Sequence, residues 1–269
     1  MTPDTDLSEP TPDPSPGSVA SEAPSPFAPI RAVEPLAAFG WLRHGFADLL
    51  RAPAASLAYG LAFALMGWLI ALVFRHAYEY TSALSAGFLL LGPFLATGLY
   101  DISRRLARGE AVRLRDTAMA WRANLGAFSL FALVLTIIML VWARASLVTF
   151  ALFFSSGMPT LQSFVGQVVS IEHVDFLLTY FAVGALFAGI VFAVSVVSVP
   201  MMLDRGTDTI VAALTSVRAL FANPLPLLVW ALLIVLVIGA GFATFFVGLV
   251  VAVPVVGHAT WHAYKSLVA

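Results

Sequence analysis

The chain has 269 residues, of which 60% are hydrophobic and only 11% charged, and its mean hydropathy is +0.93. Soluble domains average about 45–50% apolar and about 25% charged residues, so this composition excludes an ordinary soluble fold and predicts an all-α, polytopic transmembrane helical bundle. The absence of Cys excludes disulfide scaffolds, thiolate metal sites and cysteine nucleophiles, and the net charge of −1 conceals an uneven distribution along the chain.

Residues 1–40 carry six acids against Arg31 alone, and nine of the sixteen prolines precede residue 36. Such a stretch buries too little apolar surface to offset chain entropy, which predicts a disordered, acidic, Pro-rich tail and a membrane domain over 41–269. The tail lacks the basic start and apolar core of a secretory signal.

Apolar runs at 54–74, 83–100, 125–143 and 176–203 predict four spans, the last long enough to tilt or protrude. Residues 225–257 are long for one span and short for two. An internal repeat favours two. Placing Pro93 over Pro254 pairs Gly87 with Gly248, Tyr100 with Trp261 and Arg104 with Lys265, and placing Pro53 over Pro224 pairs Tyr59 with Trp230. The expectation is six spans, with a break near Gly239 and Gly241. Twelve of the fourteen bases then fall on one side, which predicts that both termini are cytoplasmic.

Three linking segments have the pattern of interfacial helices. Leu42, Phe46, Leu49 and Leu50 oppose Arg43, His44, Asp48 and Arg51; Ile210, Leu214, Val217 and Phe221 form a second stripe, and Leu161, Phe164, Val165 and Val168 a third.

The run GFLLLGPFLATGLYDISRRL at 87–106, VSVVSVPMMLDR at 194–205 and PVVGHATWHAYKSLV at 254–268 resemble a bacterial family of predicted integral membrane proteins of unknown function, over roughly residues 41–268. The expected location is the bacterial inner membrane. Some members of that family are labelled cytochrome c oxidase subunit I-like, but a haem–copper core needs more histidine ligands and more helices than five His and six spans supply.

His258 and His262, spaced i, i+4 on a helix, are the best candidates for chemistry. Asp101, Asp204 and Asp208 fall near the same membrane side and could reach them. Two ligands make an incomplete zinc or haem site, so the expectation is interfacial histidines beside Trp261 and Tyr264 and no bound cofactor, with haem or metal as the alternative. Arg144, embedded in apolar sequence, is expected to snorkel or to pair with Glu79, Glu172 or Asp175; a substrate or proton path is the alternative. The six arginines of residues 101–124 suit anionic lipid headgroups, and nothing there forms a nucleic-acid reading element. Pro93, Pro200 and Pro254 are expected to serve packing in so small a bundle, with helices kinked around a cavity as the alternative.

No nucleophile–base, zinc-protease or phosphate-loop motif occurs, so an enzyme is not expected. The leading expectation is an accessory or organising protein that packs against lipid and other membrane proteins, helped by the small residues Gly184, Ala185, Ala188 and Gly189. A small-solute or ion transporter is the first alternative, and a haem- or metal-binding protein linked to respiration the second.

Overall fold

The computed structural model describes residues 27–76, 80–154 and 174–269. Ten α-helices form among them: α1 (Ala37–Arg51), α2 (Pro53–His76), α3 (Thr81–Arg108), the single turn α4 (Leu114–Thr117), α5 (Leu125–Phe153), α6 (Val174–Ser195), α7 (Ser198–Arg205), α8 (Thr209–Ala222), α9 (Pro224–Ala243) and α10 (Leu249–Leu267). A short 3-10 turn, Ala120–Asn124, leads into α5. No strand forms among the described residues, so the class is all-α.

Four stretches are long and apolar enough to cross a membrane: Pro53–His76, Leu114–Phe153, Val174–Arg205 and Pro224–Ala243. Helices α3 and α10 are not among them, so six spans are not established by length and hydropathy. Both mix apolar turns with polar ones. Asp101, Ser103, Arg104, Arg105 and Arg108 end α3, while His258, Thr260, His262 and Lys265 punctuate α10.

Residues 225–257 do divide into two helices, but the break falls at Thr244–Gly248 rather than at Gly239 and Gly241. Glycine alone does not end a helix held by tertiary packing, and both of these lie inside α9. The turn is set by Phe245 and Phe246 at φ 54° and 68°, and by Thr244 Oγ1, which accepts from Gly248 N at 2.8 Å. Trp68 of α2 clasps it by donating from Nε1 to the Phe245 carbonyl at 2.7 Å.

The predicted span 176–203 also divides. Its helix stops at Ser195, and Val197 N donates instead to Ser216 Oγ of α8 at 3.2 Å. Pro200 therefore lies in the first turn of α7, where a missing N–H leaves no helical bond unmade, and it does not kink a span.

Helix α10 is the axis of packing, with α1, α2, α3 and α9 against it. Two glycines permit the closest crossings. A Cβ on Gly45 would stand 2.5 Å from the Val255 carbonyl oxygen, and one on Gly60 would stand 2.0 Å from that of Val250, so only glycine lets α1 and α2 approach α10 this closely. Helices α5 and α6 pack on each other, and α6 also packs on α8. Only Phe128, Phe131 and Thr149 of α5, and Phe176 of α6, are buried.

The structured body starts earlier than residue 41. Arg31 N donates to the Leu267 carbonyl at 2.8 Å and Ala269 N to that of Pro29 at 3.0 Å, while Asn223 Oδ1 accepts from Val33 N at 2.9 Å. Backbone groups exchanged with the C-terminus and a buried asparagine tie this part of the proposed tail down despite its composition, so its boundary moves back toward Pro29.

The two amphipathic helices within the described residues are turned alike. In α8 the stripe Ile210, Leu214 and Phe221 faces outward, and Ala212, Thr215, Ser216 and Ala219 face the bundle. In α1, Phe46 and Leu50 are exposed while Trp41, Gly45, Asp48 and Leu49 are buried. Asp48 is thus not on the solvated face assigned to it from sequence, because a histidine of α10 stands opposite. The third stripe, at 161–168, lies outside the described residues.

Candidate functional site

A polar layer closes one end of the bundle, and its four knots hold His258, His262, Asp101 and Asp204. At the centre, His258 is completely buried, with Nε2 2.9 Å from Ser56 Oγ of α2 and Nδ1 2.8 Å from Ser103 Oγ of α3. A neutral imidazole donates from one nitrogen and accepts at the other, so the two serines satisfy it in either tautomer. Serine beside histidine has the form of a nucleophile and base, but Ser56, Ser103 and His258 are at most 1% exposed, and their geometry fastens three helices.

One turn on, His262 Nε2 lies 2.8 Å from Asp48 Oδ2 of α1, and its ring stands tilted beside that of His44, with centroids 5.2 Å apart. Burial pushes the Asp48 carboxyl up, but hydrogen bonds from His262 and Ser103 and the charge of His262 and His258 outweigh it and hold the group below its ordinary value. The i, i+4 pair thus shares a face as expected, yet His258 is core, and His262 is held by an acid from another helix. Ser56, Ser103 and Asp48 are the residues sequence reasoning missed, and only Asp48 left a trace in the sequence. Its one signal was an acid among apolar neighbours in the N-terminal amphipathic helix.

Asp101, Asp204 and Asp208 do not reach the histidines. Asp101 is fully buried and clamps its own helix, accepting from Arg104 Nε at 3.0 Å and Arg105 Nε at 2.8 Å, and Arg104 Nη1 carries the clamp across to the Leu203 carbonyl of α7 at 2.8 Å. Asp204 accepts from Tyr264 Oη at 3.0 Å and Lys265 Nζ at 3.2 Å. Asp208 caps α8, accepting from Ile210 N and Val211 N. Among the described residues no group of three His, Asp or Glu side chains is placed to hold a metal ion.

Arg144 is exposed on α5, and no ion pair joins it to Asp175. Glu79 and Glu172, its other expected partners, lie outside the described residues. Pro254 is buried within α10, and Pro93, inside α3, lines a cavity of about 330 Å³ between α3, α5, α6, α9 and α10.

Residues 80–204 match the family model described as "Predicted integral membrane protein (DUF2189)". The match begins just before α3 and ends in α7 at Asp204, so it takes in Pro93, the Asp101 clamp and Arg144 and leaves His258 and His262 outside. The family resemblance drawn from residues 87–106 and most of 194–205 falls within the match, and that drawn from 254–268 lies beyond it. No curated protein and no solved structure matches the chain. Over residues 80–204 the chain is thus similar to a family of predicted integral membrane proteins.

Proposed function

We propose that the chain is a non-enzymatic accessory or organising protein of the bacterial inner membrane, with both termini cytoplasmic, six spans and two related halves. The observation that carries this reading is the contrast between its parts. Helices α1, α2, α3 and α10 form a platform closed by buried polar ties, while α5 and α6 leave most of their apolar surface outside the protein, with open space at Gly184 and Gly189 where another helix can approach.

The hydrogen bonds between residues 29–31 and 267–269 support an even number of crossings, because they hold both ends of the body on one side. The bases cluster at that end, which supports its being cytoplasmic. The repeat has support in the backbone as well. Ala52 at φ −134°, ψ 57° and Asn223 at φ −135°, ψ 56° join an amphipathic helix to a Pro-led apolar helix at both places.

A photo-crosslinking residue at Leu186 of α6 tests the organising role, with Leu232 of α9 as reference; both are exposed. A protein adduct of defined mass at Leu186 alone is expected, and lipid adducts alone at both positions would contradict the proposal. A reporter fused after Ala269 should read cytoplasmic, and an outward reading would overturn the topology. Transport is a second reading, favoured by Pro93 on the cavity wall; counterflow of a solute through proteoliposomes would be its sign.

A further inference from the structure

The sequence places acids before the bundle, and the structure places arginines where the chain enters it. Residues 1–26 lie outside the described residues, and their sequence holds five acids, seven prolines and no base. The entry is at the polar end. There the Arg218 guanidinium of α8 stands over the Phe27 ring, 4.9 Å from its centroid, and the Pro29 carbonyl accepts from Ala269 N at 3.0 Å. Arg205 Nη2 donates to the backbone oxygen of Ala269 beside it.

The arginines around that entry are short of acids. Arg31, Arg113, Arg115, Arg122 and Arg218 are exposed, and no ion pair joins any of them to a described acid. Residues 111–124 carry three of these five, with Asp116 as their single acid. By contrast, Arg104 and Arg105 hold Asp101, and Arg108 reaches Glu110 and Asp204. The whole face is within reach of the entry. From α8 contact passes to α7, from α7 to α3 and from α3 to α4, and the 3-10 turn that carries Arg122 also touches α7. Three steps at about 8–10 Å between helix axes make about 24–30 Å. A flexible chain as long as residues 1–26 spans about 25–30 Å on average, and a Pro-rich one spans more.

We propose that residues 1–26 fold back across this face, with their carboxylates beside Arg31, Arg113, Arg115, Arg122 and Arg218. Charge complementarity and the tether select this occupant. Anionic headgroups offer the same charge, but the tail is joined to the face through Phe27 and acts there at an effective concentration on the order of mM. Each exposed pair contributes little, so the contact rests on several at once and yields to salt. The tail thus shields, within one molecule, arginines that an acidic partner or a lipid surface would otherwise take.

The test uses the full chain in phosphatidylcholine nanodiscs. Because the chain has no Cys, spin labels at Ser8→Cys and Ala118→Cys are unique, and Ala118 is exposed between Arg115 and Arg122. Double electron–electron resonance is expected to give a short, narrow distance distribution in about 0.01 M salt, where the Debye length is about 30 Å, and a longer, broader one in about 1 M salt, where it is about 3 Å. Asp4→Asn, Asp6→Asn, Glu9→Gln, Asp13→Asn and Glu22→Gln together should give the long, broad distribution at both salts. So should Arg113→Gln, Arg115→Gln and Arg122→Gln together. The tail variant changes no residue of the bundle, so it tests the contact even where the arginine variant fails to insert. In phosphatidylglycerol nanodiscs at low salt the short distance is expected to persist. A distribution in the unaltered chain that ignores salt, or a tail variant that keeps the short distance, would overturn the proposal. Release of the tail by phosphatidylglycerol would overturn it too and give the face to lipid.

Discussion

Helices α10 and α5 make an instructive pair. Twelve of the nineteen residues of α10 are buried, among them His258, Thr260, Trp261 and Tyr264, whereas α5, with twenty-nine residues, buries only Phe128, Phe131 and Thr149. The more apolar helix is the less buried one. In water that would invert the usual rule; in a bilayer lipid covers the apolar surface, and the protein interior is left for groups that lipid cannot satisfy. Polar side chains therefore mark the core of this molecule, and continuous apolar sequence marks its outside.

The largest expected effect follows from cutting the central knot. His258→Leu leaves Ser56 Oγ and Ser103 Oγ without their buried partner, and a loss of about 2–5 kcal/mol is expected from thermal unfolding in detergent. A loss below 1 kcal/mol, the scale of an ordinary net hydrogen bond, would show that the three helices do not depend on it. Next comes Gly60→Ala, whose Cβ would meet the α10 backbone at 2.0 Å and should cost about 1–3 kcal/mol by overpacking, against less than about 0.5 kcal/mol for Gly189→Ala on α6, where the Cβ enters open space. Equal costs would erase the distinction between the platform and α6.

The acid limb of stability sharpens the comparison further. Because the folded Asp48 carboxyl titrates below its ordinary value of 3.8, its contribution is present above that pH and is lost as pH falls from there through the lower, folded value. Unfolding temperature should drop in that range, and Asp48→Asn should remove this component of the slope. If the variant kept the full slope, Asp48 would not be its source. Smallest of all is Arg144→Gln. Exposed and without an ion pair among the described residues, Arg144 should be replaceable within about 0.5 kcal/mol, and failure of the variant to insert would restore the reading of a functional intramembrane charge.

The same contrast explains what could be seen in advance. Runs such as 54–74 announce themselves because lipid-facing helices need only length and hydropathy, and α2, α5 and α9 are found where those runs lie. The i, i+4 spacing of His258 and His262 announced a shared face. Their partners were hidden, because Ser56 stands 202 residues before His258 and Asp48 stands 214 before His262. Residues so far apart meet only once the crossings at Gly45 and Gly60 bring α1 and α2 onto α10. The turn at Thr244–Gly248 escaped for a related reason, since left-handed Phe245 and Phe246 carry no turn composition and are held by Trp68 from another helix.

The central claim is that the polar end is a lock between helices and that His262 is committed to Asp48. A double-mutant cycle measures this directly, using thermal unfolding of the unaltered chain, Asp48→Asn, His262→Gln and the double variant near neutral pH. A coupling of about 0.5–3 kcal/mol is predicted, because each side chain is the other's partner at 2.8 Å. Additive losses, or His262→Gln releasing a stoichiometric metal ion or haem while Asp48→Asn does not, would contradict the account and give the histidine to a ligand.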